Sequence, residues 1–303
     1  MNRRLFIKTF LASLFANISA FSKEKKENII FKKKIPSSGE YISTIGMGTW
    51  LTFDIGFNSK KLKQRSEILN LFFKYGGQMI DSSPMYGTSE KVIGKALSLS
   101  SNSKNLFSAT KIWTPNKKHG MKQLVNSKKY WKINKFDLIQ VHNLLNYESH
   151  LETLFQLKND GLLKYVGVTT SHGSRHKKLK DIINKYEIDF IQLTYNIVDN
   201  EAEKYLLPLA KEKNIAVIAN RPFQGGKLFD HVKNKKLNKI AINLGIKSWA
   251  EYFLKFITSH PNITCAIPAT SRVDHMKENM TALYGIIPSL KERKKLMLEI
   301  INT

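Results

Sequence analysis

FDLIQVHNLLNYESHLETLFQLKNDGLLKYVGVT, residues 136–169, is the stretch whose reading decides the fold. Phe136–His142 is a largely apolar run broken by Asp137 and Gln140, Tyr147–Asn159 carries apolar residues at helical spacing, and Tyr165–Thr169 is a second short run rich in β-branched residues. A strand covered on both faces reads as a continuous hydrophobic run rather than as an alternation. The stretch therefore reads as a buried strand, a crossover helix and a second buried strand.

The same unit recurs on either side. Toward the N-terminus, strands are expected at Ile45–Trp50, Met79–Ser82 and Leu106–Ile112, with helices at Lys60–Tyr75, Glu90–Leu97 and Met121–Trp131. Gly76-Gly77 supplies a helix stop after the first of these helices. Toward the C-terminus come strands at Phe190–Tyr195, Ala216–Asn220 and Ile263–Pro268, and helices at Arg175–Tyr186, Glu201–Lys213, Lys247–Ser259 (after an irregular insertion) and Val273–Tyr284. A last helix is expected near Ser289–Ile301. Eight strands alternating with helices predict an α/β protein, a single (β/α)8 TIM barrel with a C-terminal extra helix. An open doubly wound sheet is the alternative, but no GxGxxG opens an early helix.

Composition narrows the class. Hydrophobic residues make up 42% of the 303 positions, enough for a sizeable core. The single cysteine, Cys265, excludes an intramolecular disulfide and lies in the apolar run Ile263–Ile267, where a buried structural thiol is expected. Neither CxxC nor HExxH occurs, so no metal is expected. The formal net charge of +25 comes from 49 basic residues scattered over helix faces, without the aromatic interleaving of a nucleic-acid surface. A solvated basic surface is the reading, with no nucleic-acid partner.

Residues 1–21, MNRRLFIKTFLASLFANISAF, read as an address. Arg3, Arg4, Phe6 and Lys8 resemble a twin-arginine signal peptide, followed by an apolar stretch and a small-residue cleavage site at Ile18-Ser19-Ala20. The stretch falls short of the roughly 20 apolar residues that span a bilayer, so no stable membrane anchor is expected. The twin-arginine export machinery is then a partner and the location is periplasmic or otherwise exported. Residues 22–34 read as a charged linker and residues 35–303 as the barrel. The alternative is a cytoplasmic protein with a basic terminus.

Barrel enzymes carry their chemistry where strands end and loops begin. Asp81, Lys111 and His142 fall at the ends of the second, third and fourth strands, and Tyr86 falls in the loop after the second. Each alone has a structural explanation, as turn cap, solvated lysine, core histidine or rim aromatic. Together they converge on one face of one barrel.

With the stretches Gly46-Met-Gly-Thr-Trp50, Met79-Ile-Asp-Ser-Ser-Pro-Met-Tyr-Gly87, Thr110-Lys-Ile112, Leu138-Ile-Gln-Val-His142, Val166-Gly-Val168, Ile191-Gln-Leu-Thr-Tyr-Asn196 and Ile267-Pro-Ala-Thr-Ser271, followed by Glu278-Asn279, the chain resembles the aldo-keto reductase superfamily. The resemblance implies an NAD(P)H-dependent oxidoreductase that reduces a small aldehyde or ketone carbonyl, with Asp81, Tyr86, Lys111 and His142 as the catalytic tetrad. Hydride addition leaves negative charge on the carbonyl oxygen, so a proton donor and a fixed cation both lower the barrier. Tyr86 is the expected general acid, Lys111 lowers the cost of its phenolate, Asp81 holds Lys111, and His142 orients the carbonyl. Trp50 and Trp113 are expected to wall the substrate pocket.

The resemblance further implies a cofactor site built from Gly48, Thr49, Trp50, Thr169, Thr170, Gln192, the segment Asn220, Arg221, Pro222, Phe223 and Gly226, and the last barrel helix with Thr270, Ser271, Arg272, His275, Glu278 and Asn279. Thr169-Thr170 stand where the family usually has Ser-Asn, and Asn220 stands where an aromatic usually stacks on the nicotinamide. Ala269 and His275 replace a common lysine and arginine, for which Arg272 is the substitute. Ser271 and Asp274 have the spacing of a capping box at a helix end suited to a phosphate. NADP(H) is expected ahead of NAD(H). Two other classes stay open: a nucleotide-binding accessory or regulatory subunit without significant turnover, and a barrel performing metal-assisted hydrolysis.

Overall fold

The computed structural model describes residues 29–100, 103–171 and 173–302. The expected twin-arginine signal at residues 1–21 and residues 22–28 of the expected linker lie outside the described residues. Eight parallel strands, β3 (Met47–Gly48), β4 (Met79–Asp81), β5 (Phe107–Ile112), β6 (Leu138–Val141), β7 (Tyr165–Thr169), β8 (Phe190–Thr194), β9 (Ala216–Asn220) and β10 (Cys265–Ala266), pair in chain order. Parallel bridges Ile45–Ala266 and Gly48–Ala269 join the first and last of them into a barrel. The surrounding helices are α1 (Ser59–Lys74), α2 (Ser89–Ser98), α3 (Lys117–Trp131), α4 (Tyr147–Asn159), α5 (His176–Lys185), α6 (Leu206–Glu212), α7 (Lys227–Val232), α8 (Lys239–Asn243), α9 (Trp249–Thr258) and α10 (Val273–Thr281). The extra C-terminal helix α11 (Leu290–Ile301) begins with a complete capping box between Ser289 and Glu292. None of the described helices is long and apolar enough to cross a membrane.

Two differences from the sequence reading have physical causes. Lys32–Lys34 form a strand, β1, antiparallel to β2 (Tyr41–Ser43), so the folded part begins before residue 35. Lys33 Nζ donates to the carbonyls of Thr258, His260 and Ile263, which is why a run of lysines belongs to the fold. The insertion after β9 is also less irregular than expected, because it holds the short helices α7 and α8.

The hairpin plugs the barrel floor. Ile35 and Ile42 pack with Met79, Phe107, Leu138, Tyr165, Phe190, Ala216 and Cys265, an apolar layer inside the strands. Inward positions repeat every second residue. Two or four residues further along the strands, the same faces carry Asp81, Lys111, Gln140, Gln192 and Asn220. The barrel is thus apolar at its floor and polar at the C-terminal ends of its strands. Cys265 is fully buried in the lower layer, and burial pushes its thiol up to about 12.

Candidate active site

The polar layer is built around one carboxylate. Lys111 Nζ donates to Asp81 Oδ2 at 2.5 Å and to the carbonyl of Ser82 at 2.7 Å. An ammonium has three protons. The remaining one lies toward Tyr86, whose ring centroid is 5.0 Å from Lys111 Nζ. His142 packs edge-on against the Tyr86 ring, with centroids 5.8 Å apart, and its Nδ1 is hydrogen-bonded to Ser83 Oγ at 3.1 Å. All four residues of the expected tetrad therefore meet at one end of the barrel.

The loop bearing Tyr86 is fixed from outside. Asp54 Oδ1 accepts from the backbone N–H and the hydroxyl of Thr88, at 2.9 and 2.7 Å, and these bonds hold its carboxyl below the usual carboxylate range. Gly87 between them has φ +57°, and a Cβ there would lie 2.3 Å from Asp54 Oδ2, so only glycine fits this turn. Arg65 ties the first and last loops together, donating to the carbonyls of Thr52 and Ser271.

The electrostatics qualify the sequence reading. Burial raises the Tyr86 phenol above its ordinary value; Lys111 pulls it down and Asp81 pushes it up. Lys111 does stabilise the phenolate, but burial is the larger effect in the protein alone. Burial would lower the Lys111 ammonium, yet Asp81 and Tyr86 outweigh it and Lys111 stands above its ordinary value. Burial, with the cations Lys111 and Arg175, pushes His142 down to about 2, so a neutral imidazole faces the site.

The expected cofactor residues divide into those that line the tetrad end and those that do not. Gln192 Nε2 donates to Asp81 Oδ1 at 3.1 Å, and its Oε1 lies 3.4 Å from Asn220 Nδ2. Asn220 also donates to the Thr170 carbonyl and accepts from Thr194 Oγ1. Thr169 Oγ1 accepts the N–H of Asn143, whereas the buried Thr170 hydroxyl has no partner among the described residues. Thr49 Oγ1 donates to the Asp81 carbonyl, and Gly48 serves the bridge that closes the barrel. Trp50 and Trp113 stand half exposed at the mouth. Pro222 is buried, Arg221 is exposed in a left-handed conformation, and Gly226 opens α7. Phe223 is half-buried and packs on Phe229 and Phe253 at the edge of the core.

At α10 one expectation is corrected. The N-cap is Arg272 and no side chain caps the helix, because Asp274 is paired with the Arg272 guanidinium and not with a Ser271 capping box. Ser271, Arg272 and His275 are exposed, Thr270 and Asn279 are buried, and Glu278 is half-buried. The sequence reading also passed over Gln140, whose Nε2 donates to Asp81 Oδ1 at 3.1 Å. The available signal was a lone amide in an apolar strand, two residues before His142. Among the described residues no group of three or more histidine, cysteine, aspartate or glutamate side chains is arranged to hold a metal ion.

The model of the Aldo/keto reductase family matches residues 44–286, most of the chain and all of the barrel strands from β3 to β10. The chain belongs to the aldo/keto reductase family. Among curated relatives of this reductase-family chain, the uncharacterized oxidoreductase YqkF of Bacillus subtilis is 24% identical over 291 residues, covering 83% of this chain and 90% of its own length. The thermostable aldo-keto reductase Tm1743, solved with the inhibitor epalrestat, superposes with a TM-score of 0.74 at 26% identity, covering 89% of this chain and 99% of that one. An aldo/keto reductase from Klebsiella pneumoniae, in complex with NADP and acetate, gives a TM-score of 0.74 at 22% identity, with 89% and 96% covered. That similarity speaks for the shared (β/α)8 fold.

Proposed function

We propose that this aldo/keto reductase uses NADP(H) to reduce a small aldehyde or ketone to an alcohol, with Tyr86 as general acid. The observation that carries the reading is the Lys111 ammonium, anchored by Asp81 and Ser82 on one side and facing Tyr86 on the other. A nicotinamide bound beside Gln192 and Asn220 would supply the hydride for the carbonyl carbon. The carbonyl oxygen, gaining charge, takes the Tyr86 proton, and Lys111 stabilises the phenolate left behind. Neutral His142, oriented by Ser83, directs the carbonyl.

The residues present suit a carboxamide ring. Gln192 and Asn220 present amide groups beside Asp81, and the unpartnered Thr170 hydroxyl offers a hydrogen bond to a ligand. Asn220 would hold the nicotinamide by hydrogen bonding where a relative would stack an aromatic on it. Arg272 at the α10 terminus is the cation for an adenosine phosphate, which would compete with Asp274 for it. The Arg272 cation is what favours NADP(H), with its additional phosphate, over NAD(H).

Fluorescence titration with NADPH and NADH, followed by NADPH oxidation with a panel of small aldehydes and quinones, tests the reading. Tyr86→Phe is expected to keep nucleotide affinity and lose about 10²–10⁴-fold in turnover. Equal turnover by both proteins would sink it. The second reading, a nucleotide-binding accessory subunit, is favoured by Asn220 in the stacking position; nucleotide binding with no turnover of any carbonyl would put it ahead. The Arg3-Arg4 pair supports export by the twin-arginine machinery to the periplasm, which cell fractionation of wild type and an Arg3→Lys/Arg4→Lys variant would test.

A further inference from the structure

Asp81 is held by more than its ion pair. While Oδ2 takes the Lys111 ammonium, Oδ1 receives two carboxamides at once, Gln140 Nε2 and Gln192 Nε2, each at 3.1 Å. The two are not equivalent. Gln192 accepts from Asn220 at the wall assigned above to the nicotinamide, so a bound nucleotide would compete with Asp81 for its amide. Gln140 is 0% exposed and lies in register with Lys111 on one side and Gly167 on the other. Gly167 makes its room: a Cβ there would lie 2.7 Å from the Phe190 carbonyl and 3.2 Å from Gln140 Cγ. Gln140 Oε1 has no partner among the described residues. An apolar side chain would fill the space without a stranded acceptor, as Leu138 does one layer below. What Gln140 adds over such a filler is the N–H on Asp81.

We infer that Gln140 is a positioning residue for the reduction, its N–H offsetting the charge of Asp81 so that Lys111 is left to act on Tyr86. The inference rests on the reductase reading above. Lys111 favours the Tyr86 phenolate and Asp81 opposes it; a donor aimed at Asp81 Oδ1 weakens the opposition and makes the net field at the phenol more positive. When Gln192 turns its amide to a nucleotide, Gln140 is the donor that remains on Oδ1.

The test compares wild type with Gln140→Met, similar in volume but without a donor, and with Gln140→Glu. Tyr86 ionisation is followed by NMR of 13Cζ-labelled tyrosine, assigned with Tyr86→Phe, beside thermal melting, NADPH titration and carbonyl reduction. Gln140→Met is expected to stay folded, bind NADPH within about twofold of wild type, ionise Tyr86 at higher pH, and reduce carbonyls about tenfold more slowly through kcat rather than KM. Gln140→Glu is expected to regain activity as pH falls and its carboxyl gains a proton to donate. A folded Gln140→Met protein with an unmoved or lower Tyr86 midpoint overturns the inference. A phenol protonated to the alkaline limit in both proteins does so too, because Lys111 is then not tuning it. If Tyr86→Phe turns over like wild type, the reductase reading falls separately, and the NMR midpoint still decides the role of Gln140.

Discussion

The ammonium of Lys111 lies 2.5 Å from Asp81 Oδ2, and the two side chains are 0% and 3% exposed. A buried ion pair gains little over an apolar pair, but breaking it strands a charge, which costs about 3–5 kcal/mol. Lys111→Met is therefore expected to lower thermal stability by about that amount as well as to abolish reduction. The double variant Lys111→Met/Asp81→Leu should recover most of the stability and none of the turnover. Melting curves and kcat on the three proteins check this; a double variant no more stable than the single one would contradict it.

The pH profile of reduction should lack a step near the ordinary histidine value. His142, pushed down to about 2, stays neutral wherever the protein is folded. Tyr86 must carry its proton to act as an acid, and burial raises it above the usual tyrosine value. Reductive kcat/KM is thus expected to be flat from about pH 6 to about pH 9 and to fall only in the alkaline range. Alcohol oxidation, which needs the phenolate, should rise with pH instead. A reductive limb centred near pH 6.5 would show that His142 ionises in turnover.

Glu90 offers a stability test away from the chemistry. Burial raises its carboxyl above the ordinary value, against the opposing pull of Thr110, Ser127 and Trp131, which all donate to it. The native state therefore binds more protons than the unfolded chain above the unfolded value of about 4.5, and this contribution to stability is lost as pH rises through the native value. Glu90→Gln cannot ionise. It is expected to melt about 3 °C above wild type near pH 8 and to lose that advantage near pH 4. A gap that does not change with pH would refute the assignment.

The strands were legible because each is covered on both faces; Ala216–Asn220 and Tyr165–Thr169 have the bounds that their composition predicts. The clustering of Asp81, Tyr86, Lys111 and His142 was legible because they fall at or just after the ends of three successive strands, a spacing that a barrel converts into proximity. Lys32–Lys34 were not, because three consecutive lysines read as solvated chain, and only the backbone carbonyls of Thr258, His260 and Ile263, distant in sequence, make Lys33 structural. The capping box at Ser271 failed for a related reason. A neighbouring guanidinium competes for the Asp274 carboxylate, and the spacing rule does not include it. Gln140 was invisible as a functional residue because its side chain's partner among the described residues, Asp81, is two strands away.

The hairpin at the barrel floor also sets a direction. Ile30–Lys34 enter at the end of the barrel opposite Tyr86, with Phe31 N–H on the Leu283 carbonyl and Lys33 on the last turn of α9 and the loop beyond it. The described chain therefore begins at the base of the barrel, at the end away from Tyr86. A surface that gripped the molecule at residue 29 would leave the mouth with Trp50 and Trp113 facing the other way.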